Sequence, residues 1–382
     1  LECTKERIQA TLNSFVEVER SFDEFSLRDE EDADFRQLSR VLWDNMVAKC
    51  ELSQLFPKHG PGATAERISG NQKFVWRRWH ERVDTYFPLL GSAYPIGLAG
   101  STPFAAWSDR ETRQTYVDEG GDWETSPWYS LVTLVAEHEE EPVRVCLVPK
   151  TLKAPRVIAI EPVCMQFVQQ GIRDWLYDNI ERYALTAGHV NFRDQRINQR
   201  LALAASSDGQ LATIDLSDAS DRVPHDLALA MFDGNPDLRD AIDACRSRLA
   251  VLPTGDLVGP LKKFASMGSA LCFPVESMYF YTVVVLALLD DAGLSKTHRN
   301  ISHVARDVFV YGDDIIVPSA KAEMVCRYLQ KYNCKVNTGK SFWTGKFRES
   351  CGVDAYDGGV VTPIYIRRMR PSGHRDARSL VS

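Results

Sequence analysis

The stretch Val308-Phe309-Val310-Tyr311-Gly312-Asp313-Asp314-Ile315-Ile316-Val317-Pro318 decides how the rest of the chain is read. Two short runs of β-branched and aromatic residues flank a Gly-Asp-Asp tip, the pattern of a tight β-hairpin whose turn needs unusual backbone angles at Gly312. Two adjacent carboxylates sit on that tip. Set among Val and Ile strands they are costly unless they hold something positive, and a divalent cation is the most economical partner. The triplet is short and gains weight only from company, which lies upstream in Leu211-Ala212-Thr213-Ile214-Asp215-Leu216-Ser217-Asp218-Ala219-Ser220-Asp221. Here an apolar strand ends in Asp215, and Asp221 follows after a turn rich in Ser and Asp. A strand-end carboxylate beside hairpin-tip carboxylates outlines a two-metal site. Two cations roughly 3.5–4 Å apart would lower the pKa of an attacking hydroxyl and neutralise a transferring phosphoryl group.

Further motifs stand in order around this pair. Val148-Pro149-Lys150-Thr151-Leu152-Lys153-Ala154-Pro155-Arg156-Val157-Ile158-Ala159-Ile160-Glu161-Pro162 is basic, extended and punctuated by Pro, which keeps its cations off an ordinary helix face. Gln195-Arg196-Ile197-Asn198-Gln199-Arg200 precedes the Asp215 strand. Ser266-Met267-Gly268-Ser269-Ala270 needs a flexible loop, which Gly268 supplies, and leads to Phe273-Pro274-Val275-Glu276-Ser277. Asn337-Thr338-Gly339-Lys340 follows the hairpin, then Phe347-Arg348-Glu349-Ser350-Cys351-Gly352 and Thr362-Pro363-Ile364-Tyr365-Ile366-Arg367. In this ordered series the chain resembles the palm-type RNA-dependent RNA polymerases, and within them the replicase beta subunits of levivirus-class single-stranded RNA bacteriophages, the Qβ type.

The resemblance implies an α+β right-hand polymerase with an antiparallel palm sheet bearing the Gly-Asp-Asp hairpin, and a thumb largely missing. Residues 1–205 would form fingers with an N-terminal region, 206–352 the palm with a fingers insertion at about 233–265, and 353–382 the palm end and start of the thumb. It implies a catalytic set of Asp215, Asp313, Asp314 and Lys340, the three aspartates holding two Mg²⁺ ions, with Mn²⁺ as a substitute. Nucleotide contacts fall on Lys150, Lys153, Arg156, Asp221, Gly268 and Ser269, and RNA contacts on Ser266, Arg196 and Arg200. Arg156 matches the position that meets the triphosphate, which a permanently charged fork suits better than Lys would. Lys340 matches a lysine placed to assist the departing pyrophosphate, with a surface charge as the plainer reading. Relatives of the Qβ type carry Asn where this chain has Ser269, so a contact from that side chain to the ribose or to Asp221 does not carry over directly. Implied partners are an RNA template and product, nucleoside triphosphates, host elongation factors Tu and Ts and a ribosomal RNA-binding protein, in the cytoplasm of a bacterial host with no membrane involved.

Composition bounds these readings. At 382 residues and 44% hydrophobic content the chain can bury a large core and is expected to divide into two or three subdomains. Nine cysteines lack C-x-x-C spacing and are odd in number, which points to a reducing compartment. The apolar run over residues 278–289 falls short of the roughly 18 residues a membrane span needs and reads as a buried helix. With no signal peptide and no initiating Met, the sequence is expected to be a fragment. Net charge is −7, but it is unevenly spread: residues 1–56 hold seven basic and thirteen acidic groups, residues 142–200 nine and five, residues 339–382 eight and four. A negative average does not forbid local positive channels for phosphate, although a solvated surface is the plainer reading of each cluster.

Elsewhere the reading is mostly structural. Residues 6–25 and 35–50 carry helical patterns with an acidic patch at 29–34 between them. Lys58-His59-Gly60-Pro61-Gly62 leads into Arg67, Lys73, Phe74, Trp76, Arg77, Arg78, Trp79 and Arg82, either a platform for single-stranded RNA or an amphipathic helix with its Trp residues in the core. Glu137-His138-Glu139-Glu140-Glu141 reads as a solvated face, since adjacent residues cannot all face one ion. Residues 165–183 form a helix with Phe167, Ile172, Trp175, Leu176 and Ile180 inward, and Glu276 suits the dipole at the start of its helix. A reverse transcriptase shares the palm and a Tyr-x-Asp-Asp hairpin. Gly312 between Tyr311 and the Asp pair, and Asp221 where a bulky side chain would exclude a 2′-OH, decide against it. A catalytically idle RNA-binding relative would have lost Asp215 or Asp313, and both are present.

Overall fold

The Gly-Asp-Asp stretch folds as expected. β8 (Phe309–Tyr311) and β9 (Asp314–Pro318) pair antiparallel around a two-residue turn, with Tyr311 opposite Asp314. The computed structural model describes residues 4–68, 70–93, 132–148 and 154–363. β9 lies beside β5 (Leu211–Ser217), and β10 (Lys335–Val336) closes the other edge, giving the order β10-β5-β9-β8. Alternation fixes the two faces: Ala212, Ile214, Leu216, Ile315 and Val317 enter the main core, so Asp215 and Asp314, paired in register, share the opposite face. β5 runs two residues past the expected end at Asp215, because Leu216 and Ser217 pair with β10.

The core face packs on a helix over Cys272–Asp291, whose residues 274–289 are all buried. The helix is longer than the apolar run and, at 20 residues, reaches the length and apolarity of a membrane span, which the run alone was expected to miss; its burial inside the fold makes it the hub of the core. Its few polar groups are satisfied: Trp43 Nε1 donates to Thr282 Oγ1 (3.0 Å), Tyr279 donates to the Tyr332 carbonyl (2.8 Å), and Tyr281 to that of Leu185 (2.6 Å). Around it stand the helices Asp29–Val47, Val163–Ile180 and Ala322–Lys331. The acidic residues expected between two helices instead open the helix Asp29–Val47, where Asp29, Glu30, Glu31 and Asp32 oppose the dipole and Glu31 accepts the Arg28 N–H. In the helix Val163–Ile180, Phe167, Ile172, Leu176 and Ile180 face inward as expected, with Trp175 partly buried against the core.

A second sheet joins β3 (Val143–Val148) and β4 (Arg156–Ile160) to β6 (Ala250–Val251) and β7 (Leu257–Val258), so the segment after residue 233 returns to pair with strands far upstream. Helix α1 (Lys5–Ser21) lays Leu12 and Phe15 on this sheet, forming a smaller core with Val143, Val145, Ala159 and Ala250. β11 (Phe347–Ser350), β12 (Val353–Tyr356) and β13 (Gly359–Val360) form a third sheet, packed on the helix Arg196–Asp208. Buried Arg348 links it to β5 by donating from Nε to the Leu211 carbonyl at 2.7 Å.

Candidate active site

The hairpin tip is held from behind. Gly312 has φ +59°, its N–H donates to Ser277 Oγ at 3.2 Å, and a Cβ there would fall 2.3 Å from the Phe273 ring. Only glycine meets both demands, so the first turns of the Cys272–Asp291 helix set where the carboxylates stand. Asp313 occupies the tip. Asp314 opens β9 across from Asp215, which places the two on neighbouring strands of one face.

Each carboxylate has a different environment. Asp215 Oδ2 accepts from Asn337 Nδ2 at 2.7 Å, while its main chain is held by the Asn337 N–H (2.9 Å) and the Ser341 hydroxyl (3.1 Å). Burial pushes the Asp215 carboxyl up to about 6; Lys340 and Asn337 oppose this, whereas Asp313 and Asp314 add to it. Asp314 is raised as well, chiefly by burial, against hydrogen bonds from the Cys351 N–H (3.0 Å) and the Ser350 hydroxyl (3.1 Å) to its Oδ1. Glu276, expected to serve a helix dipole, lies in the second turn and is buried. Its pKa stands well above the ordinary carboxyl range through burial first, with the charges of Asp313 and Asp221 adding to it. Lys340 sits 3.5 Å from Glu349 Oε2; burial alone would lower its pKa, but Asp215 and Glu349 outweigh it and hold the ammonium above its usual value.

Asp215 and Asp314, both raised by burial and by neighbouring carboxylates, leave an acidic site that Lys340 and Asn337 offset only in part, and oxygen donors of this kind suit a hard divalent cation. Asp215 and Asp313 would hold it. Asp314 has one oxygen tied to Ser350 and Cys351, and among the described residues no three His, Cys, Asp or Glu side chains close into a finished cage.

The other expected residues divide. Arg156 is exposed at the start of β4 and has no ion pair among the described residues. Lys150 and Lys153 lie outside the described residues. Asp221, in a 3₁₀ turn, receives Ser266 Oγ at 2.7 Å and Lys263 Nζ at 2.8 Å, both on Oδ1. Ser266 is therefore buried against Asp221, away from the surface expected to meet RNA, and Ser269 instead donates to Gln169 Oε1 at 3.1 Å. Gly268 takes φ +134°, and a Cβ there would lie 1.9 Å from the Ala159 carbonyl oxygen, so the loop is pressed onto β4. Arg196 and Arg200 are exposed on one helix, Arg196 pairing with Asp194 at 2.8 Å. The basic, aromatic stretch is structural in large part and is not one helix: Trp76 and Trp79 are buried edge to face, Lys73 is clamped on the Gly60 and Gly62 carbonyls, and Arg78 and Arg82 pair with Glu141 and Glu140. Sequence reasoning gave no role to Asn337, Ser350 or Lys263; Asn337 and Ser350 stand inside motifs of the ordered series, three positions before Lys340 and just before Cys351, whereas Lys263 carried no signal.

The family model described as RNA replicase, beta-chain, matches residues 129–372. The chain is 36% identical over 221 residues to the RNA-directed RNA polymerase beta chain of Escherichia phage MS2, covering 58% of this chain and 37% of that one. It is 38% identical over 221 residues to the RNA-directed RNA polymerase subunit beta of Escherichia virus Qbeta, covering 58% and 34%. The matched stretch thus spans little more than a third of these relatives' length. Among solved structures, the RNA-dependent RNA polymerase of BmCPV at elongation state aligns with 88% of this chain and 29% of that one, at TM-score 0.45 and 12% identity.

Proposed function

The chain belongs to the RNA replicase beta-chain family, and on that premise we propose that it carries the palm and part of the fingers of an enzyme that copies RNA into RNA. The β10-β5-β9-β8 sheet with its hairpin is the palm, and the β3–β4 sheet with α1 belongs to the fingers, joined by the insertion at about 233–265. One observation carries the reading: Asp215 and Asp314, nearly a hundred positions apart, pair in register on one face of one sheet, with Asp313 next to them on the hairpin tip.

The 3′-hydroxyl of the growing strand attacks the α-phosphate of a nucleoside triphosphate. A new phosphodiester P–O bond forms, the bond to the bridging oxygen breaks, and pyrophosphate leaves. Two Mg²⁺ ions, or Mn²⁺ in their place, held by Asp215 and Asp313 with Asp314 beside them, would acidify the hydroxyl and neutralise the phosphoryl charge. Asn337 fixes the rotamer of Asp215, and the two strands fix the separation of the carboxylates. Lys340, on the Asp215 side, offers a proton or simply a positive charge to the departing pyrophosphate. Arg156, exposed and without an acidic partner among the described residues, receives the triphosphate, and Asp221 accepts a hydrogen bond from the ribose 2′-OH. Template and product run along the exposed Arg196 and Arg200. The working enzyme acts in the bacterial cytoplasm together with elongation factors Tu and Ts and a ribosomal RNA-binding protein, a part of the reading that rests on family analogy.

The test is primer extension on a defined RNA template, comparing ribonucleotides with deoxyribonucleotides and Mg²⁺ with EDTA. Extension that needs the metal and prefers ribonucleotides is expected. Metal-independent extension, or a preference for deoxyribonucleotides, would overturn the reading.

A further inference from the structure

Lys263 has no place in the mechanism so far, yet its side chain is completely buried. An ammonium removed from water costs several kcal/mol unless charged and polar groups surround it. Its Nζ lies 2.8 Å from Asp221 Oδ1, 3.8 Å from Glu19 Oε2, and 3.6 Å from the centre of the Phe15 ring. Phe15 and Glu19 both belong to α1, so the N-terminal helix forms the far wall of this pocket. The backbone is fixed as well. Lys263 bridges Pro224, its carbonyl accepts from buried Arg246 (3.3 Å), and the next N–H, of Phe264, donates to Val223 (2.8 Å). Lysine and aspartate are thus locked together by the short segment that follows Asp221.

The consequence lies in which oxygen is used. Lys263 and Ser266 both reach Oδ1, and no donor among the described residues reaches Oδ2. Two donors on one oxygen stop the carboxylate from rotating and leave the other oxygen as a fixed acceptor. We propose that Lys263, backed by Phe15 and Glu19 of α1, is a positioning residue for sugar selection: it holds Asp221 so that Oδ2 meets the 2′-OH of the incoming ribonucleotide. The inference rests on the reading of Asp221 as the ribose acceptor given above. A surface lysine would give Asp221 a screened and mobile partner, whereas a buried one fixes geometry.

The experiment measures kcat/KM for one ribonucleoside triphosphate and its 2′-deoxy counterpart with the full-length replicase, in wild type, Asp221→Ala, Lys263→Met and Ser266→Ala. The ratio of the two values is unaffected by the fraction of active enzyme, so a partial folding defect does not mimic the effect. Loss of one oriented hydrogen bond to a hydroxyl is expected to lower the ratio about tenfold in Asp221→Ala. Lys263→Met should lower it by a similar factor, chiefly through a raised KM for the ribonucleotide, and Ser266→Ala should lower it less. If Asp221→Ala leaves the ratio unchanged, the reading of Asp221 itself falls. If Asp221→Ala lowers the ratio while Lys263→Met stays within twofold of wild type, the role of Lys263 is overturned and that of Asp221 stands. Should Lys263→Met yield no active enzyme, Ser266→Ala decides: a lowered ratio supports the tethered oxygen, and a ratio within twofold of wild type overturns it.

Discussion

Replacing Asp215 by Asn should make the metal-free protein more stable at neutral pH while destroying its response to Mg²⁺. Burial first, then Asp313 and Asp314, hold this carboxyl at about 6 against an ordinary value of 3.8, even after Lys340 and Asn337 have pulled the other way. A displacement of that size corresponds to about 3 kcal/mol at most. Asp215 remains partly open to water, and solvent screening reduces the figure to about 1–2 kcal/mol. The sign follows from proton binding: between pH 4 and 6 the folded state holds the proton more tightly than the unfolded chain. Stability from this group is therefore full below pH 4 and is lost as pH rises through 6. Asn carries no charge at any pH, and its amide oxygen can still accept from Asn337. Thermal unfolding in EDTA at pH 7.5 should accordingly place the Asn variant about 2 °C above wild type, and the gap should vanish near pH 4. Adding Mg²⁺ should raise the wild-type melting temperature and leave the variant where it was. A variant less stable than wild type at pH 7.5, or a gap of equal size at pH 4, would refute the claim that buried charge is the cost.

Asp313→Ala should reduce nucleotide incorporation by about 10²–10³-fold or more, with the melting temperature in EDTA unchanged or slightly raised; turnover near wild type would remove Asp313 from the reaction. Arg156→Ala should raise the apparent KM for nucleotides or slow incorporation while RNA affinity, measured without nucleotide, stays the same, and an equal loss of RNA affinity would place Arg156 in the template channel. Gly268→Ala forces a Cβ against the Ala159 carbonyl oxygen at a backbone angle that L residues rarely adopt, and should cost about 2 kcal/mol or more. Because the Ala159 N–H donates to Met267 at 2.8 Å across this contact, faster hydrogen exchange at Ala159 is the local readout, and an unchanged rate would mean the loop does not depend on the close approach.

The hairpin was legible because its evidence is local: alternating apolar residues and a glycine that must take a positive φ report the strand, the turn and the face. So was the buried helix over residues 278–289, since a run interrupted only by Thr282 leaves no polar face for water. Motif order carried the family and the three aspartates. Charge and polarity were another matter. Lys263 reads as one more basic residue beside Lys262, yet the fold removes it from solvent and brings it Asp221 from 42 positions upstream and Glu19 from α1. Glu276 reads as a helix-start acid, and burial next to Asp313 and Asp221 makes it something else. Ser266 and Ser269 are neighbours in one loop, and only the path of that loop over β4 decides that the first holds Asp221 and the second Gln169. Trp76 and Trp79 suit either a base-stacking platform or a core by sequence, and the core claims them. Sequence periodicity records which side of an element is apolar, a property of neighbours along the chain. Whether a polar group is satisfied, tethered or left free to act depends on partners that arrive from 42 to 244 residues away, and tertiary packing alone brings them there.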